Sequence, residues 1–172
     1  MRMMVKILAA ALFVVALALA VPAPAEEVTG FRDVPWGASE DTLRFRIPLD
    51  YCNAADPHSE YGTRRCRARS DITFGDVRPT SVVFYLRDNM LVGWQIAYPP
   101  RFRVTMANAL TAKYGEPTKV YEGDRVAWKG RTAEVDFVGG RAQDLVTAVT
   151  KAELATSEAE RQDRARKAAK GF

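Results

Sequence analysis

The sequence contains few of the residues that build catalytic and metal sites. Its 172 residues include one histidine, His58, and two cysteines. Because no serine or acidic residue stands beside this histidine in a recognisable motif, a nucleophilic triad is nearly excluded. A phosphate-binding loop is absent too, since most glycines are isolated and the Gly139-Gly140 pair precedes no Lys-Ser/Thr. We therefore predict no catalytic residue and no cofactor.

One alternating group of polar residues has the chemistry of metal ligands. Asp56, His58 and Glu60 follow one another at every second position in a turn-rich segment. We predict no metal ion there, because structural zinc sites use more nitrogen and sulfur ligands and such a spacing arises easily by chance.

The excess of basic residues is local. The formal net charge is +4, yet residues 26–150 carry 17 basic and 17 acidic residues. Residues 1–25 carry two basic residues and no acidic one, and residues 151–172 carry six basic and four acidic residues. A neutral body is a poor ligand for a polyanion, so we predict no nucleic-acid partner.

Residues 1–25 have the three-part layout of a secretory signal peptide. Arg2 and Lys6 precede an apolar run of 15 residues, Ile7 to Val21, and the small residues Ala23-Pro24-Ala25 follow. A helix of that length spans about 22 Å, less than the roughly 30 Å of a hydrocarbon core. We predict cleavage after Ala25 and a periplasmic location, with membrane contact only through this segment before cleavage. A cut after Ala20 and retention as an anchor are the alternatives.

Both cysteines lie in the exported part, and an oxidising compartment favours their pairing. Cys52 and Cys66 are predicted to form one disulfide that closes the polar, turn-rich segment 53–65. Their spacing is not Cys-x-x-Cys, so we interpret the bond as a staple on a surface loop rather than a redox pair.

Hydrophobic periodicity predicts helices and strands in alternation. Helices are expected at about 39–46, 102–114 and from 150 through 166, the last starting at a capping box. Strands are expected at 71–75, 82–86, 92–98, 120–121, 126–128, 133–138 and 145–149. We predict an α+β fold: an antiparallel sheet of two helix-then-meander units, with helices packed on one face and a solvated C-terminal helix. The domain occupies residues 26–150, and residues 151–172 form a charged tail.

Three packing and capping motifs stand out along the chain. They are Phe31-x4-Trp36-Gly37-x-Ser39, the hairpin from Phe84 to Tyr98, and Leu110-x3-Tyr114-Gly115-x-Pro117 followed by Trp128. In this combination the chain resembles small exported bacterial domains that are similar to the tandem helix-plus-sheet fold of β-lactamase-inhibitor proteins and of the small lipoprotein of outer-membrane assembly. The resemblance implies a binding or scaffolding module without an active site. The lipoprotein needs a lipidated cysteine that this chain lacks, so no site residue is carried over.

The densest charge in the sequence surrounds the second cysteine. Its four arginines, Arg64, Arg65, Arg67 and Arg69, are the candidate binding site for an anionic envelope component or an envelope protein. The alternative is a solvated loop whose charge nearby acidic residues offset. The tryptophans Trp36, Trp94 and Trp128 are expected in the core, with an exposed aromatic surface as the alternative.

These observations predict an exported binding or scaffolding protein without catalytic activity. One alternative is a small envelope hydrolase that uses carboxylates, although the sequence cannot bring pairs such as Asp33/Glu40 or Asp124/Asp136 together. Another is a carrier of a lipid or cell-wall ligand, with its pocket between helix 101–114 and the sheet.

Overall fold

The computed structural model describes residues 26–56 and 59–170. The predicted export segment, residues 1–25, and the candidate ligand His58 lie outside the described residues. No helix in the described part is long and apolar enough to cross a membrane.

Residues 26–56 and 59–170 form three α-helices and a large antiparallel sheet. A short two-stranded sheet comes first, β1 (Gly30–Phe31) and β2 (Val34–Pro35), followed by helix α1 (Glu40–Arg46). The next strands are β3 (Leu49–Ala54), β4 (Arg64–Ala68), β5 (Ser81–Arg87) and β6 (Met90–Tyr98). A 3-10 turn, Pro100–Phe102, leads into α2 (Arg103–Tyr114). The chain continues through β7 (Lys119–Val120), β8 (Arg125–Lys129), β9 (Ala133–Val138), β10 (Asp144–Thr150) and α3 (Lys151–Ala169).

The other eight strands form one sheet in the order β3-β4-β5-β6-β10-β9-β8-β7. All neighbours are antiparallel, and β6 joins β10 through the register Ile96↔Val146. The mixed α and β content and the large antiparallel sheet are as the sequence predicts.

Local chemistry explains the clearest elements. The β5–β6 hairpin turns at Asp88 and Asn89, both with positive φ (50° and 63°), as a two-residue turn between twisted strands requires. Helix α1 begins where the Ser39 side chain accepts the Thr42 N–H at 3.2 Å. Helix α2 ends at Gly115, whose φ of 76° suits glycine.

The strand predicted at 71–75 is wrong. Only an isolated bridge between Phe74 and Val77 occurs there, whereas two unpredicted strands, β3 and β4, flank the cysteines. Strand β3 gives no hydrophobic signal because it is an edge strand and is mostly exposed. Strand β4 gives a weak one because it buries only the small residues Cys66 and Ala68 between its arginines. The predicted disulfide is confirmed: Cys52 and Cys66 face each other in the β3–β4 register and are bonded. Both cysteines therefore lie within strands of the sheet, and not on a surface loop as the sequence predicts.

One face of the sheet carries the core. Phe84 and Leu86 of β5 point into it, together with Leu43 of α1 and with Met106 and Leu110 of α2. Both of these helices therefore bury their apolar residues against the same face.

The C-terminal helix differs from the predicted solvated helix, because its first turns dock on the opposite face. Side chains alternate along β5, which puts Arg87 on the face away from Leu86. Arg87 donates to the Glu153 carboxylate at 2.6 and 2.9 Å, and that carboxylate also accepts the Gly62 N–H at 2.7 Å and the Ser157 hydroxyl at 2.9 Å. Glu153 is 1% exposed. Beyond Ser157 the helix is mostly exposed.

We predict that the Cys52→Ala/Cys66→Ala variant loses about 3 kcal/mol of unfolding free energy, because the bond restricts the unfolded chain. Urea unfolding followed by circular dichroism measures the loss. Reduced wild-type protein should match the variant. Equal urea midpoints for reduced and oxidised wild type would contradict the prediction.

Glu153→Gln should lower the unfolding free energy by about 1.5–3 kcal/mol, the cost of losing hydrogen bonds to a charged group. Burial raises the pKa of Glu153, but the hydrogen bonds from Arg87, Gly62 and Ser157 outweigh burial and hold the pKa below its ordinary value. The stability that this carboxylate contributes is therefore present above the ordinary pKa and is lost as pH falls through the folded pKa.

The wild-type protein should accordingly lose more stability than the Gln variant as pH is lowered through that window. Glu116→Gln, at an exposed position without an ion pair or a side-chain hydrogen bond in the described part of the chain, serves as the control and should leave the urea midpoint unchanged. Parallel pH profiles of the wild-type protein and the Glu153 variant would refute the assignment.

Candidate functional site

A cleft of about 610 Å³ lies between α2 and the core face of the sheet, and we name it the α2 cleft. Four parts of the chain line it: residues 26–32, the loop 74–77, one side of α2, and the neighbouring strands β6 and β10. Ten of the nineteen lining residues are apolar or aromatic, namely Phe31, Phe74, Val77, Trp94, Ile96, Met106, Ala109, Leu110, Tyr114 and Val146.

Tryptophan indoles donate hydrogen bonds to the backbone of the segments that surround the α2 cleft. The Trp94 indole N–H donates to the Gly30 carbonyl at 3.0 Å, and the Trp36 indole N–H donates to the Val28 carbonyl at 2.7 Å. Trp128 donates to the Gly115 carbonyl at 2.8 Å, at the end of α2. Trp94 and Trp128 are only 4% and 3% exposed, whereas Trp36 is half-buried. The three rings therefore act mainly as core residues, as predicted.

The wall opposite α2 is an aromatic cluster around Phe31. The Phe31 ring meets Phe84, Trp94 and Phe74 edge-on, with centroid distances of 4.9, 5.5 and 5.9 Å. Edge-to-face pairs add to the stabilisation that burial alone provides. This wall is therefore fixed by packing on several sides.

The α2 wall combines large buried residues with small exposed ones. Met106, Leu110 and Tyr114 are buried, while Thr105 and Ala109 face the cleft and are exposed. The small side chain at 109 keeps the cleft open.

Charged side chains of both signs surround the mouth. Lys113 lies 3.8 Å from the Glu26 carboxylate, and Arg32 donates to the Thr73 carbonyl at 2.6 Å while its guanidinium lies over Phe74. Burial, and then the nearby Glu26, raises the pKa of Tyr114 to about 12, so its phenol is neutral at physiological pH.

The N-terminal wall is fastened to the body by Glu27. Its carboxylate accepts the Thr132 N–H at 2.9 Å, the Arg131 N–H at 3.0 Å and the Thr132 hydroxyl at 2.9 Å. These backbone hydrogen bonds lower the pKa of Glu27 to about 2. The Glu26 N–H also donates to the Lys113 carbonyl, so residues 26–27 bridge α2 and the loop before β9.

The four arginines predicted as one site are split between the two faces of β4. Arg64 pairs with Glu40 of α1 at 2.5 Å. Arg65 and Arg67 alternate with the buried Cys66 and are exposed on the other face, where Arg65 lies over the Tyr85 ring at 5.8 Å. The structure therefore brings Arg67 and Arg69, not all four, into one concavity.

The carboxylates considered for hydrolysis are each held by an arginine. Asp33 pairs with Arg46 at 3.2 Å and Asp136 with Arg125 at 3.1 Å. Glu40 and Asp124 are bound in the same way, by Arg44 and Arg64 and by Arg103 respectively. The hydrogen bond from Arg64 outweighs burial and holds the pKa of Glu40 below its usual range.

Metal ligation finds little support in the described part of the chain. The ligand atoms of Glu40, Cys52 and Cys66 lie within 4.8 Å of one another, but the disulfide removes both thiolates. His58, the central member of the predicted set, lies outside the described residues.

The sequence predicts, as one alternative, a pocket between helix 101–114 and the sheet, but it does not predict two of the segments that line the α2 cleft. Residues 26–32 contain only the two-residue strand β1, and residues 74–77 form a loop, so hydrophobic periodicity gives no signal for them. The only available signal was Phe31 and Phe74, two aromatic residues in polar, turn-rich surroundings.

No family model matches the chain, and no curated protein or solved structure matches it either. The resemblance to the tandem helix-plus-sheet proteins therefore stays a prediction.

Glu27→Gln should loosen the N-terminal wall, since a neutral amide cannot accept all three hydrogen bonds as strongly. We expect a loss of about 1 kcal/mol of unfolding free energy and faster hydrogen exchange at the Arg131 and Thr132 amides. Because the pKa of Glu27 is lowered to about 2, its contribution should persist at neutral pH and fade as pH falls below the ordinary value. Glu26→Gln is the matched control and should leave both amides protected. Equal exchange rates in the two variants would contradict this role.

Proposed function

We propose that the protein is an exported, periplasmic binding protein without catalytic activity, whose α2 cleft holds an amphipathic ligand with an aliphatic chain. The observation that carries the proposal is the cleft itself. Its volume of about 610 Å³ and its mainly apolar, aromatic lining match those of small-molecule pockets. An aliphatic chain would remove the exposed apolar surface of this lining from water.

The mouth of the cleft supports an amphipathic rather than a purely apolar ligand. Arg32 and Lys113 bring two positive charges to the cleft, and Glu26, Glu27 and Asp76 bring three negative ones. A polar headgroup can exchange hydrogen bonds with these side chains while its chain lies against Phe74 and Ala109, which are more exposed than the rest of the apolar lining. The neutral phenol of Tyr114 adds no charge to the apolar interior.

The state of the carboxylates supports a binding role over the hydrolase alternative. A general acid needs a pKa raised toward the working pH. Glu40, Asp144 and Glu153 have lowered pKa values instead, because arginine hydrogen bonds outweigh burial at each position. These acids therefore stay ionised and paired, which suits structural ion pairs.

Two features support export. The Cys52–Cys66 disulfide is typical of oxidising compartments. The sequence of residues 1–25 has the pattern of a secretory signal, with the cut expected after Ala25.

The order of elements supports an origin in two helix-then-meander units. Helix α1 precedes strands β3 to β6, and helix α2 precedes strands β7 to β10. The two groups of strands meet at β6 and β10, in the middle of the sheet. This arrangement is what the resemblance to tandem helix-plus-sheet binding proteins implies.

Scaffolding of an envelope protein is a second candidate function, favoured by a separate observation. Strand β3 lies at the edge of the sheet, is mostly exposed and carries the exposed Tyr51. An open edge of this kind can accept an extended segment of another protein.

Occupation of the α2 cleft can be measured with N-phenyl-1-naphthylamine, a dye whose emission rises in apolar surroundings, and with fatty acids as competitors. We expect the wild-type protein to bind the dye and a medium-chain fatty acid to displace it. Ala109→Trp should weaken dye binding by about tenfold or more, because an indole would fill the space that the ligand needs.

Ala112→Trp is the matched control, since Ala112 is an exposed alanine of the same helix that does not line the cleft. Its affinity for the dye should equal that of the wild type. Failure of the wild type to bind the dye, or equal losses in the two variants, would refute the ligand-binding proposal and leave scaffolding as the favoured function.

A further inference from the structure

A second concavity, of about 370 Å³, lies where β4 and β5 meet the loops at the end of the sheet, and we name it the arginine cleft. It shares no lining residue with the α2 cleft. Its lining is rich in side chains that donate hydrogen bonds, and its polar residues are Arg67, Arg69, Ser70, Thr80, Ser81 and Asp50.

We propose that the arginine cleft binds a phosphate group, with Arg67 and Arg69 as its principal ligands. Guanidinium groups bind phosphate oxygens with two parallel hydrogen bonds each, and serine and threonine hydroxyls complete such a shell. Two arginines against the single carboxylate of Asp50 leave the cleft with an excess of positive charge.

The two arginines are available for a ligand. Among residues 26–56 and 59–170, neither the Arg67 nor the Arg69 side chain makes a hydrogen bond or an ion pair, and both are exposed. The nearby arginines Arg44, Arg46 and Arg64 each pair with a carboxylate. No carboxylate of the described residues is therefore paired with Arg67 or Arg69, and an anionic ligand would supply the missing counter-charge.

The backbone that carries the two arginines is held on both sides. Arg67 is paired with Tyr51 of β3 and with Val83 of β5, next to the Cys52–Cys66 bond. The Arg69 N–H donates to the Pro48 carbonyl at 2.9 Å. Residues two apart on an extended chain lie about 7 Å apart, so both guanidinium groups can reach one phosphate. Binding then orders only the side chains, which limits its entropic cost.

The hydroxyls of Ser70, Thr80 and Ser81 favour phosphate over an acidic peptide. They come from two different segments and surround a concave space, which suits a tetrahedral anion with several acceptor oxygens. A carboxylate is planar and has two acceptor oxygens, so it would use fewer of these donors.

Inorganic phosphate and anionic vesicles are the two probes, because a phosphate group can come from a soluble ester or from a lipid headgroup. Calorimetric titration with phosphate, at constant ionic strength set with chloride, measures the first. Cosedimentation with phosphatidylglycerol vesicles, against phosphatidylcholine vesicles, measures the second. We expect Arg67→Gln/Arg69→Gln to lose about tenfold or more in affinity for the probe that binds.

Arg141→Gln/Arg164→Gln removes two exposed arginines outside the cleft that make no contact with a carboxylate in the described part, and it should bind like the wild type. Asp50→Asn should tighten binding, because it removes the one opposing charge. The arginines are exposed and unpaired, so their replacement should leave the circular dichroism melt unchanged.

Phosphate binding that depends on Arg67 and Arg69 supports the site with a soluble ester as its source. Vesicle binding alone, with the same dependence, supports it with a lipid headgroup as the source. Binding of neither probe, or an equal loss in the control double variant, overturns the proposal. None of these results depends on the α2 cleft.

Discussion

The width of a single antiparallel sheet is the constraint on which the rest of the molecule depends. Eight strands spaced about 4.8 Å apart make a sheet about 34 Å wide, whereas a helix with its side chains is about 10 Å across. Helices α1 and α2, of 7 and 12 residues, therefore cover only part of the core face. The irregular N-terminal segment covers a further part, and the remaining gap beside α2 is the α2 cleft.

Hydrogen bonds to backbone groups give this partial cover its shape. Tryptophan indoles and the Glu27 carboxylate fasten the N-terminal segment, whose regular structure is limited to the two-residue strands β1 and β2. On the opposite face the buried Glu153 does the same, because it joins α3 to Arg87 of β5 and to the Gly62 backbone. The hydrogen bonds of a few polar side chains thus determine which parts of the sheet are covered by other segments and which parts remain accessible to solvent.

The sequence predicts elements where hydrophobic periodicity and capping agree, as in the β5–β6 hairpin, α1 and α2. It fails for β3 because this edge strand is mostly exposed, and for β4 because the strand buries only the small residues Cys66 and Ala68 between its arginines. The sequence also predicts one site formed by all four arginines. In the structure, side chains alternate along β4, so Arg64 pairs with Glu40 whereas Arg67 and Arg69 line the arginine cleft. The sequence does not predict the docking of α3 either, because this docking depends on the hydrogen-bond partners of one charged residue, Glu153.

Methyl NMR spectroscopy during titration with a medium-chain fatty acid tests the central claim, that the gap left by α2 is a ligand site. We expect the methyl signals of Ile96, Met106 and Val146, which line the α2 cleft, to shift in a saturable way. The signals of Leu43 and Val135, buried on the same face but outside the cleft, should stay in place. Unchanged signals at the three cleft residues, or equal shifts at all five, would contradict the account.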